Sequence, residues 1–205
     1  ADDEIIIPEP YYANYISFSE AFDAVCVPIT SSFDNNFALP PIEEFEKKIT
    51  PKTKAFLICN PGNPTGYLYS KEEILQLAAI AKKYDIFLIF DEVYREFVYD
   101  GAQHFSIMQV IDIEQNAIMI DSVSKRFSMC GARIGWVVSK NKEVMKSILK
   151  FAQARLSPPT YSQIGAEKAF DVPETYFEEV LKEYTQRRNV LIDALQRVEG
   201  VRVSM

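Results

Sequence analysis

Histidine is almost missing from this 205-residue sequence; His104 is the only one. That excludes sites built from several histidines and leaves any serine–histidine–acid machinery to rest on one side chain. Cysteine is scarce too. Cys26, Cys59 and Cys130 are an odd number without metal-ligand spacing, which argues against a disulfide framework or a structural zinc site and for a reducing, cytoplasmic setting. No metal centre is expected. Basic residues are in deficit, 22 against 29 acidic ones, and the net charge of −7 argues against binding driven by a nucleic-acid backbone. No apolar run approaches the length of a membrane span, no signal-peptide pattern opens the sequence, and neither repeats nor low-complexity tracts occur. What remains is ordinary globular material, 48% hydrophobic and 25% charged.

Short apolar runs alternate with amphipathic stretches. Glu4 to Ile7 reads as a strand stopped by Pro8, Ser17 to Ala24 as a helix, and Ala24 to Ile29 as a second strand. Pro41 opens a short helix with Ile42, Phe45 and Ile49 on one face. Ala55 to Cys59 is a continuous apolar strand that runs into Asn60-Pro61-Gly62-Asn63-Pro64-Thr65-Gly66. Ser70 and Glu73 have the spacing of a capping box, and the helix after them turns Ile74, Leu77, Ala78 and Ala81 inward. Ile86 to Phe90 is a further strand, ending in Asp91-Glu92-Val93-Tyr94. A weaker helix near Ser106 to Ile111 precedes the strand Ala117 to Ile120, which Ser122-Val123-Ser124-Lys125 follows, and Arg133 to Val138 is another strand. Beyond it the pattern is helical: Asn141 to Leu156, Tyr161 to Phe170, and a long helix from Glu174 to Glu199 closed by Gly200. The alternation in Val201 to Met205 reads as one more strand. Uninterrupted apolar strands separated by amphipathic helices imply an α/β fold, a mostly parallel sheet covered on both faces.

In such sheets ligands bind beyond the carboxyl ends of the strands, and three successive strands here end in polar motifs. Asp91 closes a wholly apolar strand; a carboxylate there needs a cationic or donor partner, which a protonated ligand nitrogen supplies, and a helix cap or local ion pair is the plain alternative. Lys125 stands between a strand end and a glycine-containing turn, where a partly dry pocket and a nearby cation make an amine nucleophilic; a solvated surface lysine is the alternative. Ser122, Ser124 and Arg133 make a candidate anion cradle or, more simply, turn serines beside a surface arginine. The prolines and glycines of Asn60 to Gly66 fix a rigid turn in either case, and Asn63 has donors to offer. His104 is read as a solvated loop residue, and Cys26 and Cys59 as structural.

Together and in register, NPGNPTG, DEVY and SVSKRFSMCGARIGW closely resemble the motifs of the class I and II aminotransferases, the fold-type I pyridoxal-phosphate group, and the resemblance runs from EIIIPEPYY to the long helix. It implies pyridoxal 5'-phosphate as cofactor and an amino group passed between an amino acid and a 2-keto acid, within amino-acid metabolism and biosynthesis. Lys125 matches the lysine covalently joined to the cofactor and acting on the substrate, Asp91 the partner of the pyridine nitrogen, and Tyr94 and Asn63 the residues that bond the 3-hydroxyl oxygen. Ser122 and Arg133 match phosphate ligands, and Tyr12 falls where relatives carry an aromatic that stacks on the ring, often tryptophan. The resemblance divides the chain into a cofactor-binding large domain, 1–172, lacking its N-terminal part, and an interdomain helix with the start of a truncated small domain, 173–205. It also implies a homodimer, and cis geometry at Glu9–Pro10 and Asn63–Pro64.

Both ends read as strands without solvated tails, so the sequence is expected to be a piece of a longer protein, with a further phosphate-binding turn upstream and the substrate-carboxylate arginine downstream. Such a piece is expected to be weakly active or inactive alone. Two other readings share these motifs: an eliminating enzyme such as a C–S lyase, and a regulatory domain that keeps the pocket without turnover. A nucleotide-binding loop is set aside, because NPGNPTG lacks a G-K-[ST] ending and no G-x-G-x-x-G follows a strand.

Overall fold

The computed structural model describes residues 2–204. Among them six strands form one sheet in the order β2-β1-β3-β4-β5-β6. The strands are β1 (Asp3–Glu9), β2 (Ala24–Thr30), β3 (Thr53–Cys59), β4 (Phe87–Asp91), β5 (Ala117–Ser122) and β6 (Gly135–Val138). The first five are parallel and β6 runs antiparallel to β5, which makes the sheet the mostly parallel one expected. The helices are α1 (Asn14–Glu20), α2 (Ile42–Lys48), α3 (Lys71–Tyr84), α4 (Val123–Arg126), α5 (Lys142–Arg155), α6 (Thr160–Ala169) and α7 (Glu174–Leu195).

The two-residue period of the strands sorts side chains onto two faces. Ile6, Phe56, Ile58, Leu88 and Phe90 point to one, where α2 and α3 cover them with Phe45, Ile74, Leu77 and Ala81. Ile7 and Leu57 point to the other and pack against Tyr15 of α1. A smaller cluster around Val123, Phe127, Ala166 and Ala169 joins α4 to α6 and to Tyr176 and Phe177 of α7. The capping box at α3 is present: Ser70 Oγ accepts from Glu73 N at 3.2 Å, and Glu73 Oε2 accepts from Ser70 N at 2.7 Å.

Several boundaries differ from the sequence pattern. Pro8 does not stop β1 but lies within it, opposite Ile29 of β2. The ladder to β3 has ended by then, its last pair being Ile6 with Phe56, so the missing N–H of Pro8 removes no bond on that side. α1 begins three residues earlier than expected, at Asn14, and ends at Glu20, with Asp23 at φ 55° turning the chain into β2. The helix expected over Ser106 to Ile111 is one 3-10 turn, Ile107–Gln109, because Val110 is extended. β6 starts at Gly135 rather than Arg133, whose φ of 56° is left-handed. α7 has 22 residues, about 33 Å of helix, and stops at Leu195 rather than Glu199. Val201 to Ser204, read as a strand, has no regular structure. The peptide bonds Glu9–Pro10 and Asn63–Pro64 are cis as the resemblance implied, and so is Asn60–Pro61.

Removing the α3 cap tests the local reading. Ser70→Ala should lower the unfolding free energy by about 1 kcal/mol without changing the urea m-value. Unaltered stability in a urea titration would mean that the capping box contributes nothing.

Candidate functional site

The direction of the strands builds the site. Five parallel strands end at one edge of the sheet, and β6, being antiparallel, begins there. Chain segments leaving β1, β3, β4 and β5 and entering β6 therefore meet above this edge, beside the place between β1 and β3 where the strand order reverses. A cavity of about 230 Å³ lies there. Tyr12, Asn63, Asp91, Tyr94, Ser122, Lys125 and Arg133, the seven residues that the resemblance assigned to the cofactor, line it, and so does Ser124.

Each is delivered by a local device. Asn63 lies in a loop pinned by the buried Asn60, whose N–H donates to Asp91 O at 2.9 Å and whose Oδ1 accepts from Tyr69 N at 3.0 Å. Asn63 Nδ2 in turn donates to Tyr94 Oη at 3.3 Å. Ser122 caps α4, its Oγ accepting from Ser124 N at 3.2 Å, and its own O–H remains a donor. Lys125 Nζ lies 5.6 Å from the centroid of the Tyr94 ring. Arg133 Nη1 donates to Cys130 O at 3.0 Å. Gly135 lets β6 approach closely, since a Cβ there would meet Asp121 O at 2.9 Å and Ser122 Cβ at 3.3 Å. Tyr12 is edge-on to Tyr15, ring centroids 5.5 Å apart, and its Oη accepts from Asn14 Nδ2 at 2.9 Å.

Sequence reasoning missed the inner wall. Tyr15 Oη donates to Asp91 Oδ2 at 2.7 Å, while Asp91 Oδ1 accepts from Val93 N at 3.2 Å. Burial pushes the Asp91 carboxyl above its ordinary value; the Tyr15 hydroxyl, the Val93 N–H and the Lys125 charge pull the other way and do not cancel it. Burial, with the acidic groups of Cys59 and Asp91 nearby, raises the Tyr15 phenol steeply. Cys59, read from sequence as structural, also lines the cavity, its thiol pushed up to about 12 by burial and by Asp91. The residue spacing of α1 carried a weak signal for Tyr15, an aromatic beginning a helix directly after the PEPYY turn.

His104 is corrected. Its side chain is buried rather than solvated, 3.7 Å from Glu92 Oε2, and burial, with Arg95 close by, holds the imidazole down at about 4. The loop after β4 folds back under the sheet edge here, where the fully buried Glu92 accepts from Ser106 Oγ and Ile107 N, both at 2.9 Å. Neither His104 nor Glu92 lines the cavity.

A second cavity, about 490 Å³, adjoins the first and shares Tyr94, Ser124, Lys125 and Cys130 with it; Phe97, Tyr99 and Tyr184 of α7 give it an aromatic wall. An amine thus stands between a polar cavity ending in an acid and a more apolar one.

A doubly covered, mostly parallel sheet with an amine, an acid and anion donors over its carboxyl edge is the architecture of the fold-type I aminotransferases. The chain belongs to the family aminotransferase class I and II, whose profile matches residues 1–205. It is 35% identical over 203 residues to an aspartate aminotransferase of Bacillus sp. (strain YM-2), a match covering 98% of this chain and 51% of that protein. The crystal structure of an aromatic aminotransferase from Pyrococcus horikoshii OT3 superimposes with a TM-score of 0.88 at 30% identity, covering 99% of this chain and 54% of the other. An alanine aminotransferase from Pyrococcus furiosus does so with a TM-score of 0.88 at 31% identity, over 97% of this chain and 51% of that one. The chain spans about half the length of the curated relatives it matches.

The raised Asp91 carboxyl has a pH signature in protein stripped of any ligand. A carboxyl whose folded pKa exceeds its unfolded one favours the fold while it is protonated, and that contribution is lost as pH climbs from the ordinary carboxylate range through the raised value. Asp91→Asn should abolish this loss, so that urea midpoints of variant and parent diverge, in the variant's favour, as pH rises across that window. Tyr15→Phe should act oppositely, costing about 1–3 kcal/mol through the lost charge-assisted hydrogen bond. Parallel midpoint-versus-pH curves for Asp91→Asn and the parent would refute the assignment.

Proposed function

We propose that the full-length protein is a pyridoxal-phosphate-dependent aminotransferase that moves an amino group between an amino acid and a 2-keto acid. The observation that supports this most is the convergence, in one cavity, of seven residues drawn from five segments of the chain. Pyridoxal 5'-phosphate suits this set of donors. An ionised carboxylate has about four acceptor sites, and the protein fills one on each Asp91 oxygen, so capacity is left for a protonated ring nitrogen. Asn63 and Tyr94, already hydrogen-bonded to each other, offer donors to a phenolic oxygen. The Ser122 hydroxyl and the Arg133 guanidinium suit a phosphate, and Tyr12 lies at the cavity wall with an aromatic face for a ring. The cofactor, when bound, supplies an aldehyde that condenses with amines and a ring that accepts electrons.

The chain's own residues then divide the work. Asp91 would hold a proton at the ring nitrogen. Asn63 and Tyr94 orient the ring, and Ser122 with Arg133 anchors its charged end. Lys125 Nζ would be the amine that holds the cofactor through its aldehyde, and it is the base placed to move the proton at the substrate's α-carbon. Such a positioned general base contributes typically about 10²–10⁴-fold.

In the same reading residues 1–172 are the cofactor-binding domain, and α7 within 173–205 leads toward a second one. A homodimer is proposed as the working assembly. Large apolar side chains stand exposed on α5, α6 and the turn between them, among them Leu149, Phe151, Leu156 and Tyr161, the last 90% exposed. Three free cysteines, and the absence among the described residues of a helix long and apolar enough to cross a membrane, accord with a cytoplasmic protein.

The test is a full-length assay with cofactor, an amino acid and a keto acid. Turnover should require the keto acid, whereas release of ammonia and pyruvate without one would point to elimination. Lys125→Ala should lose the visible absorbance of the bound cofactor and at least about 10²-fold in kcat. Transamination at the parent rate by that variant would sink the role given to Lys125.

A further inference from the structure

We propose that Arg126 is a positioning residue for Lys125: it clamps the turn that carries the lysine to the turn that carries Tyr94. The inference rests on the reading of Lys125 as the amine that joins the cofactor. One nitrogen, Arg126 Nη2, lies 2.7 Å from Asp121 Oδ2 and 2.9 Å from Glu96 Oε1. Asp121 belongs to β5 and is 1% exposed; its Oδ1 accepts from the N–H of Ser122 at 2.7 Å, so the contact reaches the backbone of the anion cradle. Glu96 follows Tyr94 by two residues in the turn after β4. The guanidinium packs 5.5 Å from the Trp136 ring centroid and 5.8 Å from that of Phe127, which fixes its plane from the third side.

Lys125 needs such a hold. α4 has four residues, a single turn, and an isolated turn is not stable by its own hydrogen bonds. The chain beyond it is irregular, with Ser128 at φ 53° and Arg133 at φ 56°. Neighbouring positions on a helical turn point about 100° apart, so driving Arg126 inward commits Lys125 to the cavity side. The Arg126 side chain is 12% exposed, whereas Lys125 is exposed and lines both cavities.

Stability alone accounts poorly for the cluster. Buried ion pairs often contribute little net free energy compared with apolar packing. This one also leaves Arg126 Nε and Glu96 Oε2 buried without hydrogen-bond partners among the described residues, which is costly. Burial raises the Asp121 and Glu96 carboxyls, and Arg126 is the largest influence opposing that rise in both. What the cluster supplies is a planar, three-way joint between β5, α4 and the turn after β4. A lysine in its place keeps the charge but not the flat face that packs against the Trp136 and Phe127 rings.

The experiment uses the full-length protein as wild type and as Arg126→Lys, Arg126→Met and Glu96→Gln. Apo protein is mixed with pyridoxal phosphate. The lysine amine and the aldehyde condense with loss of water, borohydride reduces the C=N bond to a secondary amine, and peptide mass identifies the labelled residue. Labelling rate, kcat, KM and thermal midpoint are measured for each protein. Both Arg126 variants should label Lys125 and turn over about tenfold or more slowly, with KM little changed, as expected when a reacting group is displaced by a fraction of an ångström. Arg126→Lys should recover thermal stability relative to Arg126→Met without recovering kcat, and Glu96→Gln should show a smaller kinetic loss at wild-type stability. Folded Arg126 variants that label at the wild-type rate overturn the clamp. Should both fail to fold, Glu96→Gln decides, and a wild-type labelling rate from it overturns the clamp equally. A wild-type protein labelled elsewhere than Lys125 defeats the cofactor reading itself, and the clamp with it.

Discussion

The hydrogen bond from Tyr15 to Asp91, 2.7 Å long, joins two parts of the chain 76 residues apart, and much of the site depends on it. Asp91 ends a strand whose preceding residues are apolar, and a carboxylate there is poorly hydrated. Tyr15 supplies the donor that makes it tolerable. Because Tyr15 is itself wedged between Ile7 and Leu57, the acid is held by the packing of the sheet face rather than by a mobile loop. The carboxylate is thus oriented before any ligand arrives, the kind of preorganisation on which electrostatic catalysis relies.

Around that fixed acid, strand direction does the rest. No two of the other cavity residues need be close in sequence, because parallel strands deliver their final residues to one edge whatever the length of the helix between them. The antiparallel β6 extends the rule: it contributes the residues that precede it, so Arg133 arrives at the same edge from the opposite chain direction. The close approach of Gly135 to the Asp121 carbonyl, where a Cβ would come within 2.9 Å, sets how near that last strand can lie.

The parts of this arrangement that were legible in the sequence share a property: an apolar run ending abruptly in a polar motif marks both a strand and the place where it stops. Cys59-Asn60, Phe90-Asp91 and Ile120 to Ser122 are such points, and the residues beyond them reached the cavity. The inner wall was not legible. Tyr15 sits on an amphipathic helix, where an inward aromatic looks like any core residue, and its partner is specified only by how α1 packs on the sheet. Asp121 was visible as the end of the apolar run AIMI, but its need for Arg126 stays invisible until β5 and α4 are placed side by side. His104 looked solvated because GAQHF reads as a loop, yet the loop brings its buried side chain within 3.7 Å of Glu92. The alternating Val201 to Ser204 failed as a strand for the opposite reason: alternation signals a strand only where a neighbouring strand is available to pair with it, and none lies there among the described residues.

The inner wall also has a proton inventory. Asp91, Tyr15 and Cys59 are three acids in mutual contact range, yet the phenol and the thiol both hold their protons far above neutrality. Burial raises the Asp91 carboxyl too, but with the phenol and the thiol protonated the wall can carry at most one negative charge near neutrality. It is a socket for a single positive charge. By keeping two of its three protons, the wall holds its charge to that of a single carboxylate, although three acidic side chains meet there.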